Sequence, residues 1–253
     1  MDTTHELDLA PLTAARRAAD TSSTGEAARI LADAGVPVFP CVQGSARPLL
    51  PGGTRAASAD PDRVTWWWSR YPTTNLAVPT GLASRLDVLE VRAGRARSGI
   101  STLQRAMRAG LLPRPGLAIS TPTGGLSLIF PRSPQTTQRS WDAPRAGLRF
   151  HGDGGHVLLP PSLVLRADGV VARAQLIGPG SDRTGPVDAD VLPRLVDPVP
   201  TRDGRPPLTP SAEARSGQRW EHDAGPHPLT GAQPMFRPDP DGSSRRPPEV
   251  VSL

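Results

Sequence analysis

The chain has 253 residues, 37% of them apolar, enough for one domain of ordinary size with added segments or for two small ones. Its net charge is +5, and all 29 basic residues are arginine; a GC-rich genome explains this lysine-free usage better than a phosphate partner does. A single cysteine, Cys41, excludes an internal disulfide and a cysteine-built zinc site, and no apolar stretch approaches the roughly 20 residues of a membrane-spanning helix.

Residues 1–21 are mixed and polar and read as a flexible N-terminal arm. They carry no apolar core of a signal peptide, so the expectation is a soluble cytoplasmic protein. Ser22, Ser23 and Thr24 offer helix caps, and Ala27, Ile30, Leu31 and Ala34 follow at helical spacing up to Gly35, which predicts a helix over 24–34. Val36 to Val42 is β-rich and holds Cys41 in an apolar run, where an inert buried thiol is expected. Asp60 and Pro61 open a second helix, 60–70, which carries Trp66, Trp67 and Trp68. Three successive rings cannot share one face, so at least one is expected in the core.

Asn75–Pro79 and Leu86–Arg92 read as strands, and 98–109 as an amphipathic helix with Ile100, Leu103 and Met107 on one side. Leu117–Ser120 and Leu126–Phe130 flank a tight turn containing Gly124 and Gly125. Gly147–His151 and His156–Leu159 read as a hairpin around the GDGG stretch, and Ser162–Leu165 with Val170–Leu176 as another across Asp168-Gly169. From 179 to 253 proline, glycine, serine and charge dominate, and roughly half of all the prolines lie there. Such a segment buries too little surface to offset its ordering entropy, so it reads as a disordered Pro/Gly-rich tail.

Residues 22–178 read as one domain, and within it the stretch from about Ala27 to Leu176 resembles the bifunctional DNA primase/polymerase N-terminal (prim-pol) domain of the archaeo-eukaryotic primase superfamily. The resemblance lies in the order of its parts. AARILADAGVPVFPCVQGSARP is similar to the family's helix, strand and proline-ended loop, and WWSRYPTTNLAVPTG to its Trp-Trp, Pro, Asn and Thr-Gly stretch. LDVLEVRAG stands in the place of a hydrophobic-Asp-x-Asp strand. STPTGGLSLIF resembles a Thr-Pro-Ser-Gly-Gly-x-His turn, and GLRFHGDGGHVLLPPS the ending that closes on Pro-Pro-Ser. The resemblance implies an α+β fold, a mostly antiparallel sheet with packed helices. It also implies nucleotidyl transfer by divalent metals held on carboxylates, two of them at i and i+2 of one strand.

At the positions the resemblance marks, this chain departs from that chemistry. Glu90 keeps the first acid, while Arg92 stands in place of the second and Arg149 in place of the third. Ser127 stands in place of the histidine that would bind the incoming triphosphate, and His151 and His156 replace the hairpin's arginine and tyrosine. Ala46 stands in place of a lysine, and Asp87 falls on the opposite face of its strand from Glu90. Two guanidinium groups beside the metal positions would repel Mg²⁺ or Mn²⁺ by several kcal/mol at short range, as an order of magnitude.

The expectation is therefore a catalytically degenerate primase-like domain with no cofactor. Its cleft would bind single-stranded DNA or nucleotide through Arg92, Arg149, His151, Gly124 and Gly125. Against this stands a plain salt bridge of Glu90 with Arg92 or Arg149 that only keeps a relic cleft folded. The alternatives are a scaffold whose tail recruits a helicase or another replication protein in trans, and an active enzyme that uses Glu90 with Mg²⁺ or Mn²⁺. A third idea, a transition metal between His151, His156 and Asp153, requires the GDGG hairpin to bring them together.

Overall fold

The computed structural model describes residues 7–192, apart from 94–98, 122, 134–135, 167, 179 and 191. The chain opens with helix α1 (Ala10–Ala19), where the sequence suggests a loose arm. Its inward face is Leu12, Ala14, Ala15 and Ala18, all buried. Small side chains let the helix lie close to the body, and a search for large apolar residues at helical spacing passes over such a face.

Helix α2 (Thr24–Asp33) is capped by Ser23, whose Oγ accepts from the Glu26 N–H at 3.4 Å. Strand β1 (Phe39–Cys41) follows, and then helix α3 (Pro61–Arg70), capped by Asp60, whose Oδ1 accepts from the Asp62 N–H at 3.0 Å. The tryptophans divide as their spacing requires. Trp67 and Trp68 are buried while Trp66 is 48% exposed, and Trp68 Nε1 donates to Thr24 Oγ1 at 3.1 Å, tying α3 to α2.

Strands β2 (Asn75–Pro79), β3 (Leu86–Val91), β4 (Leu117–Ser120), β5 (Leu126–Pro131), β6 (Trp141–Ala143) and β7 (Leu148–His151) follow, with helix α4 (Gly99–Arg108) between β3 and β4. Short strands β8 (His156–Leu158), β9 (Leu163–Leu165), β10 (Val171–Arg173) and β11 (Gln175–Leu176) complete the described body. A six-stranded sheet has the order β11-β4-β5-β3-β7-β6, a three-stranded sheet the order β1-β2-β8, and β9 pairs with β10. Every pairing between these strands is antiparallel, so the fold is α+β as the sequence implies.

The six-stranded sheet is covered on both sides. One face presents Val88, Ile119 and Ile129 to a core with Leu12, Leu31, Val64 and Trp67. The other presents Leu89, Val91, Leu128, Phe130 and Phe150 to Leu103 and Ala106 of α4. Val187, Ala189 and Leu192 complete this second core, which corrects the expected start of the tail at 179. Gln138 helps to hold the segment: its Nε2 donates to the Val187 carbonyl, and its Oε1 accepts from the Ala189 N–H at 3.0 Å. Residues 193–253, the remainder of the expected tail, lie outside the described residues.

The GDGG stretch does not close a hairpin. β7 pairs with β3 and β6 in the large sheet, whereas β8 pairs with β2 in the small one. Gly152–Gly155 carries the chain from one sheet to the other, held by Thr80, whose Oγ1 donates to the Gly152 carbonyl at 2.6 Å and whose N–H donates to the Gly155 carbonyl at 2.9 Å. A Cβ on Gly152 would stand 2.1 Å from the Gln138 carbonyl oxygen, so this glycine serves a close approach of chains.

The three-stranded sheet is joined to the β9–β10 pair at Asn75, which is 2% exposed. Its amide donates to the carbonyls of Ser45 at 3.0 Å and Leu163 at 2.6 Å and accepts from the Leu163 N–H at 2.9 Å.

Candidate functional site

Antiparallel register brings the sequence-marked residues to one place. On β3, Glu90 stands opposite Ser127 of β5 on one side and Arg149 of β7 on the other. Arg149 in turn stands opposite Asp142 of β6. Directly paired residues project to the same face, so Asp142, Arg149, Glu90 and Ser127 form a row across four strands. His151 stands opposite Val88 and so shares this face, diagonal to Glu90. Arg92 follows β3, its N–H donating to the Gly147 carbonyl at 2.8 Å.

Within the row the charges pair in a definite pattern. Arg92 Nη2 donates to Asp142 Oδ2 at 2.8 Å, and Arg149 Nε lies 3.7 Å from the same oxygen. His151 Nε2 lies 3.1 Å from Glu90 Oε2, and because an ionised carboxylate only accepts, the imidazole donates from Nε2. Burial disfavours the Glu90 charge. The His151 hydrogen bond and the charges of His151, Arg92 and Arg149 outweigh it and hold the carboxyl below its ordinary range. The hydrogen bond to Asp142 raises Arg92 above its ordinary value, against desolvation and with the help of the Asp142 and Glu90 charges.

Asp142 is the residue that sequence reading misses. Its signal is a short one: Trp141-Asp142-Ala143 alternates apolar, acidic, apolar, and Pro144 to Gly147 then turns the chain into β7. In the structure Trp141 stacks on Phe150 at 5.8 Å on the far face of the sheet, which turns Asp142 toward the arginines.

Gly124 and Gly125 lie at the edge of this cluster, in the turn between β4 and β5. A Cβ on Gly125 would stand 2.3 Å from the Val91 carbonyl oxygen, so the turn rests against the end of β3. Its amides are engaged within the turn: Gly124 N–H donates to the Thr121 carbonyl and Gly125 N–H to Thr121 Oγ1 at 3.0 Å. Close packing thus explains Gly125 and a left-handed φ of 85° explains Gly124, and these two N–H groups are not presented to an anion.

His156 is not brought to His151. It lies on β8 in the smaller sheet, with Nε2 2.9 Å from the Ala46 carbonyl and its ring against Phe39 at 5.4 Å. Asp153 pairs with Arg132 at 3.0 Å and accepts from the Leu82 and Gln138 N–H groups. The three groups of the suggested transition-metal site therefore have separate partners, because the hairpin that would unite them does not form. Among the described residues no group of three or more His, Cys, Asp or Glu side chains is placed to hold a metal ion.

Asp87 lies on the reverse face, fully buried, with Oδ1 3.9 Å from Arg132 Nη1. Desolvation pushes its carboxyl up to about 7; Arg132 opposes the rise and Asp153 adds to it. Strand alternation thus assigns Asp87 and Glu90 to separate environments.

The family model described as bifunctional DNA primase/polymerase, N-terminal, matches residues 27–178, more than half of the chain. None of the curated proteins matches the chain.

Proposed function

The chain belongs to the bifunctional DNA primase/polymerase N-terminal family, and from that premise we propose that its cleft has exchanged metal-dependent nucleotidyl transfer for the direct binding of phosphate groups. The observation that carries this reading is the row Asp142, Arg149, Glu90 and Ser127, with Arg92 beside it. The resemblance puts metal-binding carboxylates at positions 90, 92 and 149, and here guanidinium groups hold two of the three.

The residues present do not fit a pair of hard divalent cations. Such ions need several carboxylate oxygens facing one point. Glu90 is engaged by His151, and the Oδ2 atom of Asp142 is shared by Arg92 and Arg149. A cation entering between them would meet both guanidinium groups at short range in a partly buried site. The same groups suit phosphate oxygens, to which guanidinium donates charge-assisted, often paired, hydrogen bonds. The ligands this favours are a single-stranded nucleic-acid backbone or a nucleotide, and the cleft's part is to hold them without turnover.

Two measurements test the reading. In a primer-synthesis and primer-extension assay with Mg²⁺ or Mn²⁺, no template-dependent incorporation is expected; robust incorporation would overturn the loss of catalysis. In a titration of single-stranded DNA over a range of salt, Arg92→Ala is expected to weaken binding and to lower the salt slope by about one. A slope and affinity unchanged in both Arg92→Ala and Arg149→Ala would leave the salt bridges as mere supports of a relic cleft.

A further inference from the structure

We propose that Asp142 is a built-in competitor of the ligand: its carboxylate occupies the arginine pair and must leave before a phosphate group can enter. The proposal rests on the reading of the cleft as a phosphate site and adds the device that sets its threshold.

The geometry is that of an internal anion. One oxygen, Asp142 Oδ2, takes the Arg92 guanidinium at 2.8 Å and faces Arg149 Nε at 3.7 Å, the arrangement that an incoming phosphate oxygen would adopt. The other oxygen, Oδ1, is buried and finds no hydrogen-bond partner. An unsatisfied buried acceptor is costly, so the carboxylate leaves part of its own bonding capacity unused where it stands. A phosphate group brings more oxygens and more charge to the same donors.

Asp142 is also placed to yield. It lies on β6, a three-residue strand at the edge of the sheet, and its side chain is 27% exposed. Trp141 anchors the strand by stacking on Phe150, so the backbone can stay in register while the carboxylate rotates away. Glu90 cannot play this part as readily, because His151 holds it at 3.1 Å. The bound state would place phosphate on Arg92 and Arg149, with Asp142 turned to solvent and Glu90 still on His151.

The consequence runs against the ordinary result of removing a polar side chain from a binding site. Asp142→Asn keeps the size of the side chain and removes its charge, so it is expected to tighten phosphate binding roughly tenfold. The experiment uses the full chain in chelator-treated buffer at low salt. The probes are a fluorescein-labelled oligothymidylate and, separately, a nucleoside triphosphate followed by calorimetry. Tightening with the oligonucleotide alone assigns the site to backbone phosphodiesters, and tightening with the triphosphate alone assigns it to nucleotides.

A second pair of proteins closes the cycle. In the Arg92→Ala/Arg149→Ala background, Asp142→Asn is expected to change affinity by less than about twofold, because nothing is left to compete for. If Asp142→Asn weakens binding while Arg92→Ala also weakens it, Asp142 aligns the arginines instead of competing, and the proposal fails though the phosphate site stands. If neither arginine variant changes affinity, the phosphate site itself fails. Thermal melts of each protein separate these outcomes from unfolding, and Asp142→Ser serves as the second charge-removing variant if Asp142→Asn does not fold.

Discussion

Asp87 and Glu90 lie three positions apart on β3 and meet opposite electrostatic fates. Glu90 is held charged by its neighbours, whereas Asp87 is fully buried near Arg132 with neither carboxylate oxygen hydrogen-bonded. The folded chain binds a proton at Asp87 with a pKa of about 7, and the unfolded chain with a pKa of about 4. Between these values the folded state holds more protons than the unfolded one, so stability falls as pH rises. The Asp87 contribution is fully present below about pH 4 and is lost as pH climbs through about 7, a difference on the order of a few kcal/mol. Asp87→Asn removes the titration and leaves Arg132 its 3.0 Å pairing with Asp153. Urea midpoints at pH 5 and pH 8 are expected to converge in this variant and to differ in the native chain. An equal pH dependence in both would show that the proton is taken up elsewhere.

At the scale of elements, the regular part of the fold was legible and the flanks were not. Helices over 24–34, 60–70 and 98–109 are observed within about one residue at each end, because caps, prolines and apolar spacing agree locally. The shared face of Glu90 and Arg92 followed from strand alternation, and the separation of Asp87 from Glu90 likewise, whereas the place of Arg149 beside them came from the resemblance. What could not be read was which strand each edge pairs with. GDGG looks locally like a turn, yet tertiary packing at Thr80 and Gln138 sends its two sides to different sheets. Helix α1 and the 187–192 segment were missed for a related reason. Each contributes few large apolar residues, and their burial depends on surfaces supplied by distant parts of the chain. The segment nevertheless completes the second core, so Leu192→Ala is expected to cost about 2–4 kcal/mol of folding stability, as for other buried leucines. A urea midpoint unmoved by this change would mean that the segment rests on the body without contributing to it.

For the molecule as a whole, a family body carries Arg92 and Arg149 beside Glu90 on its large sheet. The body reaches beyond the matched residues 27–178 on both sides, and the two extensions meet where Arg16 of α1 pairs with Asp182 at 3.3 Å and also donates to the Gly116 carbonyl. If the scaffold is intact and only the donor set has changed, restoring the donors should restore metal binding. The combined variant Arg92→Asp, Arg149→Asp and Ser127→His supplies carboxylates at three adjoining positions with Glu90. Mn²⁺ is expected to raise its melting temperature and to leave that of the native chain unchanged. Equal stabilisation of both proteins would overturn the account of the arginines as incompatible with metal.

Asn75 carries a consequence for how such a chain drifts. It is the single asparagine in 253 residues, in a chain with no lysine, so whatever nucleotide bias emptied the other positions stopped here. The reason is the bonding demand at the junction of β2, β9 and the Ser45 loop: two donors and one acceptor on one short planar group. Aspartate offers no donor and would face two carbonyl oxygens, and glutamine is longer by a methylene. At the joint of β2 with β9, a drift in composition therefore meets a position that neither aspartate nor glutamine fills in the same way.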